Sequence, residues 1–221
     1  GILRVTGDNC EVAGIYVLGT AGTSTGGTMG DGGDGGLITI GPGVQGLDLH
    51  HFQVEKTGIQ WDSGTTGVTG TPTGVIVVGS AARDITIRDG FIDCGTGLLA
   101  SASSGIDLFF NNQNIRVTNV EMFANKDAAA GRFIDAAPGT FTGFQLIADR
   151  CKFFNANGTA ISSAFAGTMG VGNLAIMNEC AGVRCTEVGT PGSTFVMPVY
   201  GTATVVKNPY LGIGTSAIIS A

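Results

Sequence analysis

Carboxylates are the most numerous ionisable side chains in this sequence. The chain contains 17 Asp and Glu residues against 11 Lys and Arg residues, and its formal net charge is −6. Two carboxyl groups held roughly 5 to 9.5 Å apart can cleave a glycosidic bond, one as the acid and the other as the base or nucleophile. The first question is therefore whether the fold brings two acids together on one surface.

Other catalytic and metal-binding patterns are weak. His50 and His51 are adjacent, a poor geometry for sharing a metal ion, and surface positions are the favoured interpretation. The glycine-rich segment at residues 30–36 lacks the tandem copies typical of calcium-binding nonapeptide repeats. The five cysteines match no zinc-site spacing, so we expect free thiols. We expect neither a metal site nor a cofactor.

The composition also argues against two classes of partner. No cluster of Lys and Arg is available to neutralise a phosphate backbone, so nucleic-acid binding is not expected. No run of 18 apolar residues is present, so we expect no membrane-spanning segment.

An apolar repeat organises the whole chain. In the copy at residues 114–122, Ile115 and Val117 precede a polar corner at Asn119, and Val120 and Met122 follow it. Alternate residues of a strand share a face, and Asn tolerates the left-handed backbone of a one-residue corner, so all four apolar residues can face one interior. Copies spaced 28 to 38 residues apart begin at Cys10, Leu47, Ile85, Ile115, Leu146, Leu174 and Thr204.

A repeat of this length is typical of a solenoid. Further apolar segments follow each copy, and no window shows a sustained helical period. The pattern predicts an all-β fold, a right-handed parallel β-helix of about seven coils with three short strands per coil. We predict a single domain over residues 1–221, with a glycine-rich surface loop at residues 19–36.

Equivalent residues of successive coils should lie about 4.8 Å apart. The predicted corner stack contains Asp89, Asn119, Asn178 and Asn208. Their side chains are expected to hydrogen-bond along the column and fix the register, as Asn ladders do. Glu179 and Pro209 break the pattern because they fall on nominally inward positions. Either a bulge shifts the sixth copy and turns Cys180 inward, or the C-terminal coils are irregular.

Over the coils that begin at Ile85, Ile115 and Leu146, the repeat predicts three outward columns. They contain Arg88, Thr118 and Asp149; Phe91, Glu121 and Lys152; and Asp93, Phe123 and Phe154. None of these columns pairs two acids, which argues against an enzyme. Phe123 and Phe154 are better used in a subunit contact than left in solvent. Acids predicted to lie in loops are the alternative source of a catalytic pair: Asp62, Asp107, Asp127 and Asp135.

The phrase Asn-Ile-x-Val-x-Asn at residues 114–119 resembles the coils of the pectate-lyase-like β-helix superfamily. That group includes bacteriophage tailspikes and other virion projections, and the resemblance covers nearly the whole chain. It implies three chains around a common axis. Members of this superfamily that cut polysaccharides use two or more carboxylates on the outer face of neighbouring coils. The resemblance therefore implies that a catalytic site in this chain would have the same arrangement.

The leading hypothesis is a non-enzymatic structural protein of a tailed-phage virion, an extracellular particle. The chain would form a homotrimeric knob or spike, either a capsid decoration (cement) protein or a tail-fibre component, in contact with capsid or tail proteins. The alternatives are a tailspike enzyme that degrades a host surface glycan and a bacterial surface adhesin. Both ends of the chain read as strands, whose open edges a subunit, a loop or a further domain would cover.

Overall fold

The computed structural model describes residues 3–19, 36–56, 74–97, 104–109, 111–126, 132–136, 143–155, 162–167, 174–183 and 185–188. Within these ranges the chain forms strands and no helix, and therefore no helix that could cross a membrane. The prediction of an all-β protein with parallel strands is confirmed. The seventh predicted copy, most of the predicted loop, Asp62 and Asp127 lie outside the described residues.

The strands belong to two sheets. The first sheet contains, in spatial order, β1 (Leu3–Val5), β4 (Ile38–Ile40), β6 (Ile76–Val78), β8 (Ser104–Leu108), β10 (Arg132–Ala136), β13 (Ser162–Gly167) and β16 (Cys185–Val188). The second sheet contains β2 (Glu11–Ala13), β3 (Tyr16–Gly19), β5 (Gln45–Lys56), β7 (Arg83–Gly97), β9 (Gln113–Lys126), β11 (Gln145–Asp149), β12 (Lys152–Asn155), β14 (Leu174–Asn178) and β15 (Ala181–Val183). The chain visits the two sheets alternately, and we call the second-sheet part of each passage a repeat.

Neighbouring repeats pair in parallel and in register. One interior column of the second sheet contains Leu49, Ile87, Val117, Ala148 and Met177, each opposite the next. All five side chains are buried. Residues that the sequence placed at the same phase of the repeat therefore pack directly on one another, and the predicted inward positions of the second to fifth copies are confirmed.

A left-handed residue turns the chain within each repeat. The corner positions have φ angles of 51° at His51, 52° at Asp89, 52° at Asn119, 51° at Arg150 and 48° at Glu179. Asn and Asp adopt this backbone at little cost, whereas other non-glycine residues do so rarely. The corner lets β5, β7 and β9 change direction while both halves stay in the same sheet.

The sixth copy differs from its prediction by one residue. Ala175, Met177 and Cys180 face the interior, and the corner falls at Glu179 rather than Asn178. Asn178 pairs with Asp149, one residue before the corner. The shift turns the Glu179 carboxylate outward, where its charge keeps its hydration. The predicted corner at Asn178 was therefore wrong, and Cys180 faces inward as the alternative prediction expected, although β11 and β14 pair in continuous register without a bulge.

One continuous apolar core joins the two sheets. Phe133 on the first sheet and Phe153 on the second have ring centroids 5.4 Å apart, so the sheets face each other across this core. The rings of Phe133, Phe144, Phe153 and Phe165 are almost completely buried.

A large residue, Phe52, packs against a small one, Gly90, where two neighbouring repeats meet. A β-carbon on Gly90 would lie 2.3 Å from two carbon atoms of the Phe52 ring. The two residues are in register on β5 and β7. Glycine at position 90 therefore makes room for the aromatic ring of the preceding repeat.

Replacing Gly90 by Ala should lower the free energy of unfolding by about 1–3 kcal/mol, because the added methyl group overpacks the core against Phe52. In a Phe52→Leu background the same change should cost less, with a coupling of at least about 0.5 kcal/mol. Urea denaturation of the wild type, both single variants and the double variant measures this coupling. Additive costs would show that the ring and the glycine do not meet.

Candidate functional site

Polar side chains form a ladder along the corner of the second sheet. Asn119 Nδ2 donates a hydrogen bond of 2.8 Å to Asp89 Oδ1 in the preceding repeat. This bond, reinforced by Arg88 and opposed by burial, holds the pKa of the Asp89 carboxyl below its ordinary value of 3.8. Of the four residues predicted to stack at the corner, these two are placed together at that corner.

Arg88 ties two repeats together beside this ladder. Its Nε lies 3.0 Å from Asp48 Oδ1 and its Nη2 lies 2.8 Å from Asp48 Oδ2, a two-pronged ion pair with the preceding repeat. Its Nη1 also donates to Asp89 Oδ2 at 3.0 Å. The hydrogen bond to Asp48 is the main reason that the pKa of Arg88 is raised.

The ladder continues with a different set of partners in the later repeats. Asp149 Oδ1 accepts a hydrogen bond of 2.7 Å from Asn178 Nδ2, and Asp149 Oδ2 accepts one of 2.8 Å from Arg150 Nε. Asn178 thus contributes to an inter-repeat hydrogen bond, but from the position before the corner. Asn208 lies outside the described residues.

The two histidines and Glu11 form a cluster of contacting side chains on the second sheet. His50 Nε2 lies 2.8 Å from Glu11 Oε1, and the Nδ1 atoms of His50 and His51 lie 2.6 Å apart. In the contact between the two Nδ1 atoms, one ring must donate the hydrogen bond and the other must accept it. A proton on both Nδ1 atoms would therefore break this contact. His50 is buried and His51 exposed, so only His51 fits the surface interpretation. No cluster that could hold a metal ion occurs among the residues that the structure describes.

The surface beyond the corner, which we call the outer face, carries two outward columns. They contain Tyr16, Gln53, Phe91, Glu121 and Lys152, and Leu18, Glu55, Asp93, Phe123 and Phe154. The rings of Phe123 and Phe154 stack with centroids 5.4 Å apart and planes at 24°. Phe154 is 41% exposed, and Lys152 pairs with Glu121. The structure thus brings the predicted aromatic pair together and adds an ion pair in the neighbouring column.

The outer face also holds a pair of acids that sequence analysis missed. Glu55 on β5 is in register with Asp93 on β7, and such neighbours lie about 4.8 Å apart along the sheet. Glu55 also accepts a hydrogen bond from Gln53. The pKa of the Tyr16 phenol is raised, mainly by desolvation and to a smaller extent by the charge of Glu55 and a hydrogen bond to that carboxylate. The signal was present in the sequence, because Glu55 lies eight residues after Leu47 and Asp93 eight after Ile85.

A second acid pair lies on the first sheet. Asp107 on β8 is in register with Asp135 on β10, so two of the acids predicted for loops lie in strands and are neighbours. Asp107 is 9% exposed, and Thr39 and Val77 in the same column are also buried. In each pair the two acids project from adjacent strands at in-register positions, as neighbouring carboxylates of a glycan-cleaving site would.

Replacing Asn119 by Gly should lower the free energy of unfolding by about 0.5–1 kcal/mol at neutral pH, the range for a solvent-screened hydrogen bond. Gly adopts the left-handed corner freely, and the variant loses the side-chain amide at a backbone cost that a second Asn-to-Gly change can match. Because the folded pKa of Asp89 is depressed, its contribution is present above the unfolded value near 3.8 and is lost as the pH falls through the folded value. Urea unfolding at about pH 7 and at about pH 2 should therefore show a smaller difference in acid.

Asn111→Gly is the matched control, since Asn111 is exposed and has a φ of 63°. Its effect should be the same at both pH values. An equal pH response of the two variants would contradict the assigned bond between Asn119 and Asp89.

The chain matches no protein-family model, and no significant match was found among curated proteins or solved structures. Its function is therefore proposed from its sequence repeat, its two sheets and the side chains that they carry.

Proposed function

We propose that the two sheets are walls of a right-handed parallel β-helix and that the chain is a non-enzymatic structural protein of a tailed-phage virion. The alternation between sheets and the parallel register support this fold. Parallel crossovers of this kind are right-handed in nearly all proteins. The assignment to a virion rests on the resemblance of the repeat to phage projections, because a fold by itself supports many functions.

The continuous interior column is the observation that carries a mechanical role. Each repeat stacks its buried apolar side chains on those of its neighbours, from Leu49 through Met177, within the core that joins the two sheets. Such a quasi-one-dimensional stack gains stability from every interface between repeats. Arg88 and Asn119 add polar links between repeats on the outside. The result is a stiff support suited to a knob or spike.

The outer face supports association with further copies of the chain. Tyr16, Leu18 and Phe154 are the large apolar side chains that stand exposed among the described residues, at 57%, 40% and 41%. All three lie on the outer face, together with the stacked ring of Phe123. They form two groups, Tyr16 with Leu18 at one end of this face and Phe154 with Phe123 at the other, and exposed apolar groups favour an interface. We infer a homotrimer that contacts capsid or tail proteins of the extracellular particle.

A quantitative mass-spectrometric count of the chain in purified, washed virions tests this function. We expect a fixed copy number that is a multiple of three. A number that matches the capsid lattice would identify a decoration protein, and a small number would identify a tail component. Recovery of the chain only in the lysate, with none on washed particles, would overturn the virion assignment.

A polysaccharide-cleaving tailspike is the second candidate. Glu55 and Asp93 form an acid pair beside the stacked rings of Phe123 and Phe154, which could support a sugar chain on the same column. Asp107 and Asp135 are a second acid pair, on the first sheet.

Incubation with host capsule or lipopolysaccharide separates the two candidates. The structural proposal predicts unchanged polymer length for the wild type. New reducing or unsaturated ends that disappear in Glu55→Gln or Asp93→Asn would establish the enzyme instead. Glu121→Gln is the matched control, because Glu121 is an exposed acid of the adjacent column that pairs with Lys152.

A further inference from the structure

Cys151 and Cys180 occupy equivalent positions in neighbouring repeats. Each directly follows the left-handed corner residue of its repeat. The residue pairs on either side of the two cysteines are in parallel register, which places the cysteines opposite each other. Parallel neighbours lie about 4.8 Å apart, within the range of about 4.4–6.8 Å between the Cα atoms of a disulfide.

Both thiols point into the core and are completely buried. Cys151 Sγ lies 3.4 Å from the carbonyl oxygen of Val117, and Cys180 Sγ lies 3.5 Å from the carbonyl oxygen of Ala148. Each sulfur is therefore held against the backbone of the preceding repeat. The two side chains share one orientation and face the same column.

The two thiols are chemically unequal. A hydrogen bond between them, together with burial, raises the pKa of Cys151 well above its ordinary value. The same hydrogen bond lowers the pKa of Cys180. We therefore assign Cys180 as the attacking sulfur and Cys151 as the hydrogen-bond donor and resolving sulfur. Oxidation of a dithiol assigns a different role to each sulfur. One sulfur attacks the oxidant and becomes a sulfenic acid, and the other then attacks that sulfur to form the disulfide.

We propose that Cys151 and Cys180 form a redox site that a peroxide converts into a disulfide between neighbouring repeats. The Cys180 thiolate attacks one peroxide oxygen, the O–O bond breaks, and a sulfenic acid and hydroxide form. The Cys151 sulfur then attacks the Cys180 sulfur, the S–O bond breaks, and the departing hydroxyl takes the Cys151 proton as water. Two thiols lose two protons and two electrons, and hydrogen peroxide becomes two waters.

The disulfide would join the fifth and sixth repeats. It closes the loop of chain between them and restricts the unfolded state, which is the usual source of disulfide stabilisation. Hydrogen peroxide is little larger than water, so local opening of one repeat admits it to the buried pair. The site does not depend on whether the protein is structural or enzymatic.

Peptide mapping of the folded protein after treatment with hydrogen peroxide tests the site. We expect a cross-linked pair of peptides that contain Cys151 and Cys180, lighter by two hydrogen atoms and separated again by dithiothreitol. The oxidised protein should melt about 5–10 °C higher than the reduced protein.

Cys180→Ala should abolish both the cross-link and the shift in melting temperature. Cys94→Ala is the matched control, since Cys94 is buried but lies opposite no cysteine in the described strands, and this variant should keep both. If the partly exposed Cys10 is oxidised while Cys151 and Cys180 stay reduced, the proposal is wrong. Conversion of either thiol to sulfinic acid without a cross-link would also overturn it, and the wild-type map decides this even if a variant fails to fold.

Discussion

Parallel hydrogen bonding in register is the constraint on which the rest of this structure depends. It places each side chain directly between its counterparts in the repeats on either side. Leu49, Ile87 and Val117 therefore form a column, which is buried in the core between the two sheets. The same constraint would stack like charges, and the chain mostly avoids this by placing an amide or a base next to an acid, as at Asp89 and Asn119.

Two pairs of acids depart from this placement of an amide or a base next to an acid, and they indicate where a ligand or partner could bind. Like charges directly opposite each other on neighbouring strands are unfavourable, yet Glu55 faces Asp93 and Asp107 faces Asp135. Positions where a sequence departs from its own stabilising pattern are where a ligand or partner is most often found. A structural knob and a glycan-cleaving spike would be built from the same stack of repeats. They would differ in the molecule that these acids contact.

The sequence predicted the second to fifth repeats because a two-residue period and a required left-handed corner leave few alternatives. The sixth was ambiguous, since Leu174 and Ile176 alternate as well as Ala175 and Met177 do. Burial of Cys180 in place of the Glu179 carboxylate decides the register. Burial of His50 depends on tertiary contacts that no local pattern contains, such as the contact with Glu11 from the preceding repeat. Asp107 and Asp135 were assigned to loops because the first-sheet strands follow segments of uneven length, which hid their common phase.

Methyl nuclear Overhauser effects in the folded protein test the stacked register most directly. The structure predicts strong cross-peaks between Leu49 and Ile87 and between Ile87 and Val117. Only a weak signal or none should join Leu49 to Val117, whose backbones are two strand spacings, about 10 Å, apart. Strong direct contact between Leu49 and Val117, without contacts from either residue to Ile87, would contradict the stack of repeats.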